Sequence, residues 1–130
     1  SCLVGSEMCI RDSYNGGRVT LFGFGDRGTV RSSYASALFF AERAGYVAAE
    51  MQRENLWQNG DNPAQRVELD RWQAAGRAEV ALFAVIGGGH LLPQAGLRAP
   101  RLLGPTLSGF DGPQVIWDFF ARQRPAPAQP

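Results

Sequence analysis

The sequence predicts an α/β fold, and three observations carry that expectation. Thr29 to Gly45 reads as a helix, Arg66 to Gln73 and Glu79 to Ile86 read as strands, and Asp111 opens a second helix. The second strand, Glu79-Val80-Ala81-Leu82-Phe83-Ala84-Val85-Ile86, is almost wholly apolar, the composition of a strand covered on both faces as in a parallel sheet. It runs straight into Gly87-Gly88-Gly89-His90, and open α/β sheets place their sites just past the C-terminal ends of strands.

Each element has a local reason. Tyr14-Asn15-Gly16-Gly17 is a turn signal, and Arg18 to Phe22 reads as a short strand or extended loop. In the first helix, Ser32 or Ser33 caps the start. Tyr34, Ala37, Leu38, Ala41 and Ala44 share one face, with Phe40 beside them, and Gly45 suits the position just past the end. Val47 to Gln65 is ambiguous: Glu50, Arg53 and Glu54 suit a helical turn, whereas Asn59-Gly60-Asp61-Asn62-Pro63 is loop chemistry. Arg66 to Gln73 alternates, with Val67, Leu69 and Arg71 on one side and Glu68, Asp70 and Trp72 on the other. Ala74-Ala75-Gly76-Arg77 reads as a hairpin turn. Leu91 to Gly109 is a long loop punctuated by Pro and Gly, a length usually functional or disordered. Asp111 caps the last helix with Pro113 in its first turn; Val115, Ile116, Phe119 and Phe120 form its buried stripe, and Trp117 flanks it. Residues 125–130 are a Pro/Ala-rich tail, expected to be extended and mobile.

The chain has 130 residues and a formal charge of +1, so no strong field draws it to nucleic acid or to a membrane surface. All 13 basic residues are arginine, and they are scattered rather than clustered. No apolar run approaches the roughly 18 residues a spanning helix needs. Residues 1–13 stand apart. Leu3-Val4-Gly5-Ser6-Glu7-Met8-Cys9-Ile10-Arg11-Asp12-Ser13 resembles the translation of an adapter used in transposase-based sequencing libraries. Residues 1–13 are therefore expected to lie outside the fold, with both cysteines, Cys2 and Cys9, among them. The biological part is expected to begin near Tyr14, inside a longer gene, so the missing signal peptide says nothing of the compartment.

Two stretches offer chemistry. Gly23-x-Gly25-x-x-Gly28 follows an apolar stretch and precedes a helix, the order of a dinucleotide-binding turn. Phe24 and Arg27 are bulky for that turn, and no clear second strand ends in an acid roughly 20 residues on. A surface loop is the plainer account, with a small nucleotide-binding or other non-catalytic module as the alternative function. The second stretch centres on His90, the sole histidine, whose imidazole suits proton transfer near neutrality. A zinc role is disfavoured, because residues 14–130 hold no cysteine or second histidine to complete a ligand set.

The stretch Val80-Ala81-Leu82-Phe83-x-Val85-Ile86-Gly87-Gly88-Gly89-His90, followed by Ile116-Trp117-Asp118-Phe119-Phe120, resembles the C-terminal end of the polyhydroxybutyrate depolymerase/feruloyl esterase family of α/β-hydrolases. Tyr14-Asn15-Gly16-Gly17, Arg27-Gly28-Thr29-Val30 and Phe39-Phe40-Ala41-x-x-Ala44-Gly45 fit the stretch that follows the family's acid loop. The resemblance implies that residues 14–124 are the truncated C-terminal part of an α/β-hydrolase fold: the last strand or hairpin, the histidine loop and the C-terminal helix. In that setting Val80–Ile86 would lack its neighbouring parallel strands, and the chain alone would be poorly stable.

The resemblance also implies a serine ester hydrolase acting through an acyl-enzyme on small or polymeric esters, with no cofactor. The family's base is the histidine of Gly-Gly-Gly-His, here His90. It takes the serine proton and returns it to the leaving alcohol. The family's nucleophile sits on a G-x-S-x-G elbow, which this chain lacks: Ser32, Ser33, Ser36 and Ser108 have no such flanking glycines. The family's acid would fall just before Tyr14, and Asp26, Asp61 and Asp111 do not match its motif. After the histidine, the family often shows His-Thr-Trp-Pro-Gly. Here His90-Leu91-Leu92-Pro93-Gln94 keeps the proline and loses the aromatic and the glycine, which leaves the ester unspecified. The chain alone is expected to be inactive.

Overall fold

A computed structural model of the chain describes residues 17–18, 29–89, 91–96, 100 and 104–123. Strands β1 (Gly17–Arg18) and β2 (Thr29–Val30) pair antiparallel as a two-residue ladder. Helix α1 (Ser33–Arg43) follows, then a 3-10 turn (Ala48–Glu50). Strands β3 (Gln52–Gln58), β4 (Arg66–Trp72) and β5 (Val80–Ile86) form one sheet in chain order, and helix α2 (Gly112–Arg122) closes the chain.

Both sheet pairings are antiparallel, and this overturns the expected α/β-hydrolase architecture, which is dominated by parallel strands. The reason is the length of the connections. Only residues 59–65 join β3 to β4, and only residues 73–79 join β4 to β5. A parallel neighbour needs a crossover of a dozen or more residues, usually a helix. The apolar β5 run packs on one face against helix α1 and on the other against Leu107 and Phe110.

Antiparallel pairs share a face, so the register fixes the two layers. Trp72 pairs with Val80 and Asp70 with Leu82; that face meets α1. There Trp72, Leu82, Ala37, Ala41 and Tyr46 form one buried cluster, with Tyr34, Leu38 and Met51 against it. Val67 pairs with Val85 on the opposite face, where Leu107 and Phe110 cover them and Val115 of α2 packs alongside.

The helix ends obey their sequences. Ser32 Oγ accepts from the Ala35 N–H at 3.1 Å, and Gly45 adopts φ +88° just past α1. Asp111 accepts from the Gln114 N–H at 3.0 Å, with Pro113 in the first turn of α2. Val115, Ile116, Phe119 and Phe120 are half-buried, and Trp117 is exposed.

Two acids fasten neighbouring elements. Asp70, 3% exposed, accepts from Arg53 Nε at 2.6 Å and Nη2 at 2.8 Å across the β3–β4 pair. Such a bidentate clamp gives both carboxylate oxygens a partner where burial removes water. Glu79, just before β5, accepts from Arg122 Nη2 at 3.2 Å and Gln123 Nε2 at 2.9 Å, with Arg71 Nε 3.3 Å away. The far end of α2 is thereby fastened at the start of β5. No helix among the described residues is long and apolar enough to cross a membrane.

Candidate functional site

The candidate site is the exit of β5, where an apolar strand becomes three glycines. Gly87 adopts φ +72°, and a Cβ there would stand 2.6 Å from the Ala64 carbonyl oxygen. The strand can leave the sheet at this point only because no side chain intervenes. At Gly88 a Cβ would lie 2.8 Å from Val85 Cγ1 and 3.0 Å from Leu107 Cδ1. The Gly89 N–H donates to the Pro105 carbonyl at 2.7 Å, and a Cβ on Gly104 (φ +82°) would lie 2.9 Å from Gly89 Cα.

The segment beyond is pinned as well. Pro93 is among the most deeply buried side chains, and its carbonyl accepts from the Gly112 N–H at 2.8 Å. A Cβ at Gly112 would meet that same oxygen at 2.8 Å and Leu92 Cγ at 2.9 Å. The first turn of α2 is therefore seated on Leu92-Pro93. His90, the predicted base, lies outside the described residues. Its neighbours are anchored on one side by the 104–107 strap and on the other by the start of α2.

The other candidate residues have structural work. Ser32 caps α1, and Ser36 Oγ donates to the Ser32 carbonyl at 3.1 Å. Asp111 caps α2, and the Asp61 N–H donates to Asn59 Oδ1 at 3.0 Å in the β3–β4 turn. Gly23 to Gly28 and Asp26, the alternative nucleotide loop, lie outside the described residues. Among the described residues no group of three or more His, Cys, Asp or Glu is placed to hold a metal ion.

The strap of Gly104, Pro105 and Leu107 is the part of the site that sequence reasoning missed. Its one signal was the Gly104-Pro105 dipeptide, a turn marker inside a long loop. The glycines give a direct test. Gly45→Ala, with open space around the new Cβ, is expected to cost only the left-handed strain of about 1–2 kcal/mol. Gly87→Ala adds a collision with backbone and is expected to cost about 2–4 kcal/mol. Urea midpoints for the two variants check the order; equal losses would remove the packing account of the turn.

No protein-family model, curated protein or solved structure matches the chain.

Proposed function

We propose that this chain supplies the general base, His90, of a serine ester hydrolase that cleaves carboxylic esters or polyesters through an acyl-enzyme. The observation that carries the reading is the pinned glycine turn leading into the only histidine. A base must approach the nucleophile within hydrogen-bond distance, roughly 2.6–3.2 Å, so its backbone has to be held. A side chain at Gly87 or Gly88 would meet neighbouring atoms closer than van der Waals contact allows, and Gly89 is hydrogen-bonded to the strap. The likeness of Gly-Gly-Gly-His and Ile116-Trp117-Asp118-Phe119-Phe120 to the polyhydroxybutyrate depolymerase/feruloyl esterase family supports the assignment of role. No cofactor takes part in this chemistry.

Chain chemistry divides accordingly. Ser32 and Ser36 serve the start of α1, and no G-x-S-x-G exists in the sequence. The nucleophile and the acid that orients the imidazole therefore belong to residues outside this chain. The chain alone is expected to hydrolyse a p-nitrophenyl ester no faster than its His90→Ala variant. Joined in frame at Tyr14 to the preceding coding sequence, it is expected to gain serine-dependent esterase activity. Hydrolysis by the isolated chain that disappears in His90→Ala would refute this division of groups; a joined protein with no esterase activity would refute the function.

A further inference from the structure

We propose that the outer edge of β5 is a pairing surface for a second copy of this chain, joined antiparallel about Phe83. The two edges of the sheet are built differently. β3 carries Arg53, Glu54 and Asn55, and its register is broken between Asn55 and Trp57. Charges and bulges of that kind keep an edge from recruiting another strand. β5 has neither: Val80-Ala81-Leu82-Phe83-Ala84-Val85-Ile86 is uncharged, lacks proline, and pairs with β4 without a register shift. Among the described residues, β5 has no backbone hydrogen bond to any segment except β4. Alternate N–H and C=O groups of an edge strand point away from its one neighbour, so a row of them faces outward.

The sequence of the edge selects the occupant. β5 is complementary in size to its own reverse about Phe83. Two copies run antiparallel around that residue set Leu82 against Ala84, Ala81 against Val85, and Val80 against Ile86. Large meets small in two of these pairs, and Phe83 meets Phe83, an aromatic cross-strand pair of the stabilising kind. Centring on Phe83 also pairs all 7 residues of the strand. Residues equally distant from the centre point their backbone groups the same way, so the hydrogen-bond phase is satisfied. The contact is isologous and closes as a dimer. Each copy of α1 then lies on the same face of the continuous sheet. This inference is independent of the esterase reading, since its test uses no activity.

Sedimentation velocity of the whole chain over a concentration series is expected to show a reversible monomer–dimer equilibrium. In a Cys2→Ser, Cys9→Ser background, Phe83→Cys is expected to cross-link to itself under mild oxidation. An equimolar mixture of Val80→Cys and Ile86→Cys is expected to cross-link several-fold faster than either variant alone. If Phe83→Cys fails to fold, the Val80/Ile86 mixture and the unmodified chain still report register and stoichiometry. A chain that stays monomeric up to its solubility limit overturns the proposal. So does open-ended assembly, or cross-linking with no preference for the Val80–Ile86 pairing.

Discussion

In the enzyme formed by joining this chain to its preceding coding sequence, His90→Ala is expected to lower kcat by about 10⁴-fold or more while KM changes little. The asymmetry follows from when the base acts. The imidazole takes a proton as the serine attacks the ester carbonyl, so its interaction exists in the transition state and hardly at all in the bound substrate. Steady-state kinetics on a p-nitrophenyl ester would separate the two constants. A loss confined to KM would mean that His90 binds substrate and moves no proton. Retention of kcat would remove it from the chemistry altogether. Gly104→Ala, which would push a Cβ against Gly89 Cα, is the informative companion. It leaves the imidazole in the chain and disturbs only the backbone that leads to it.

The elements that the sequence reveals most clearly are those whose signals are local. Both helices start where Ser32 and Asp111 cap them, because a cap acts within one turn of the backbone it serves; the expected helix from Thr29 is thereby shortened, with Thr29–Val30 in strand β2. The β4 alternation is equally readable: Val67, Leu69 and Arg71 do share a face opposite Glu68, Asp70 and Trp72. What local pattern cannot give is the meaning of that second face, where Asp70 and Trp72 are buried as deeply as Val67. Asp70 reads as a solvent residue until Arg53 arrives from β3, a strand whose polar sequence resembled a helical turn at Arg53 and Glu54. β3 exists because β4 offers it a partner; only its flanking Ala48–Glu50 turn is helical, closed by the Val47 N–H donating to Glu50 Oε2 at 2.7 Å. The parallel reading of β5 failed for the same reason. An apolar run reports that both faces are covered, and it carries no information about strand direction, which the short 73–79 connection decides.

Trp72→Ala is expected to cost about 3–5 kcal/mol, the largest single loss in folding stability that the core implies. Trp72 has no solvent exposure and stands at the centre of the α1 layer, its ring 6.2 Å from that of Tyr34 and in one cluster with Ala37, Ala41, Tyr46 and Leu82. Truncation removes contacts from α1, β4 and β5 together, and backbone held by Tyr46, whose hydroxyl accepts from the Ala74 N–H at 3.0 Å, cannot collapse freely into the space. Trp72 Nε1 is itself buried with no hydrogen-bond partner among the described residues. An unpaired buried donor costs about 1–3 kcal/mol, so the native residue gives back part of what its ring contributes. Trp72→Phe deletes that donor and keeps an aromatic ring, and its cost is expected to be well below half that of alanine. Urea unfolding followed by the fluorescence of Trp57 and Trp117 measures both variants against the same reference. Equal losses for Phe and Ala would show that the indole nitrogen contributes favourably through a partner, and that the packing of this layer depends on the full width of the indole.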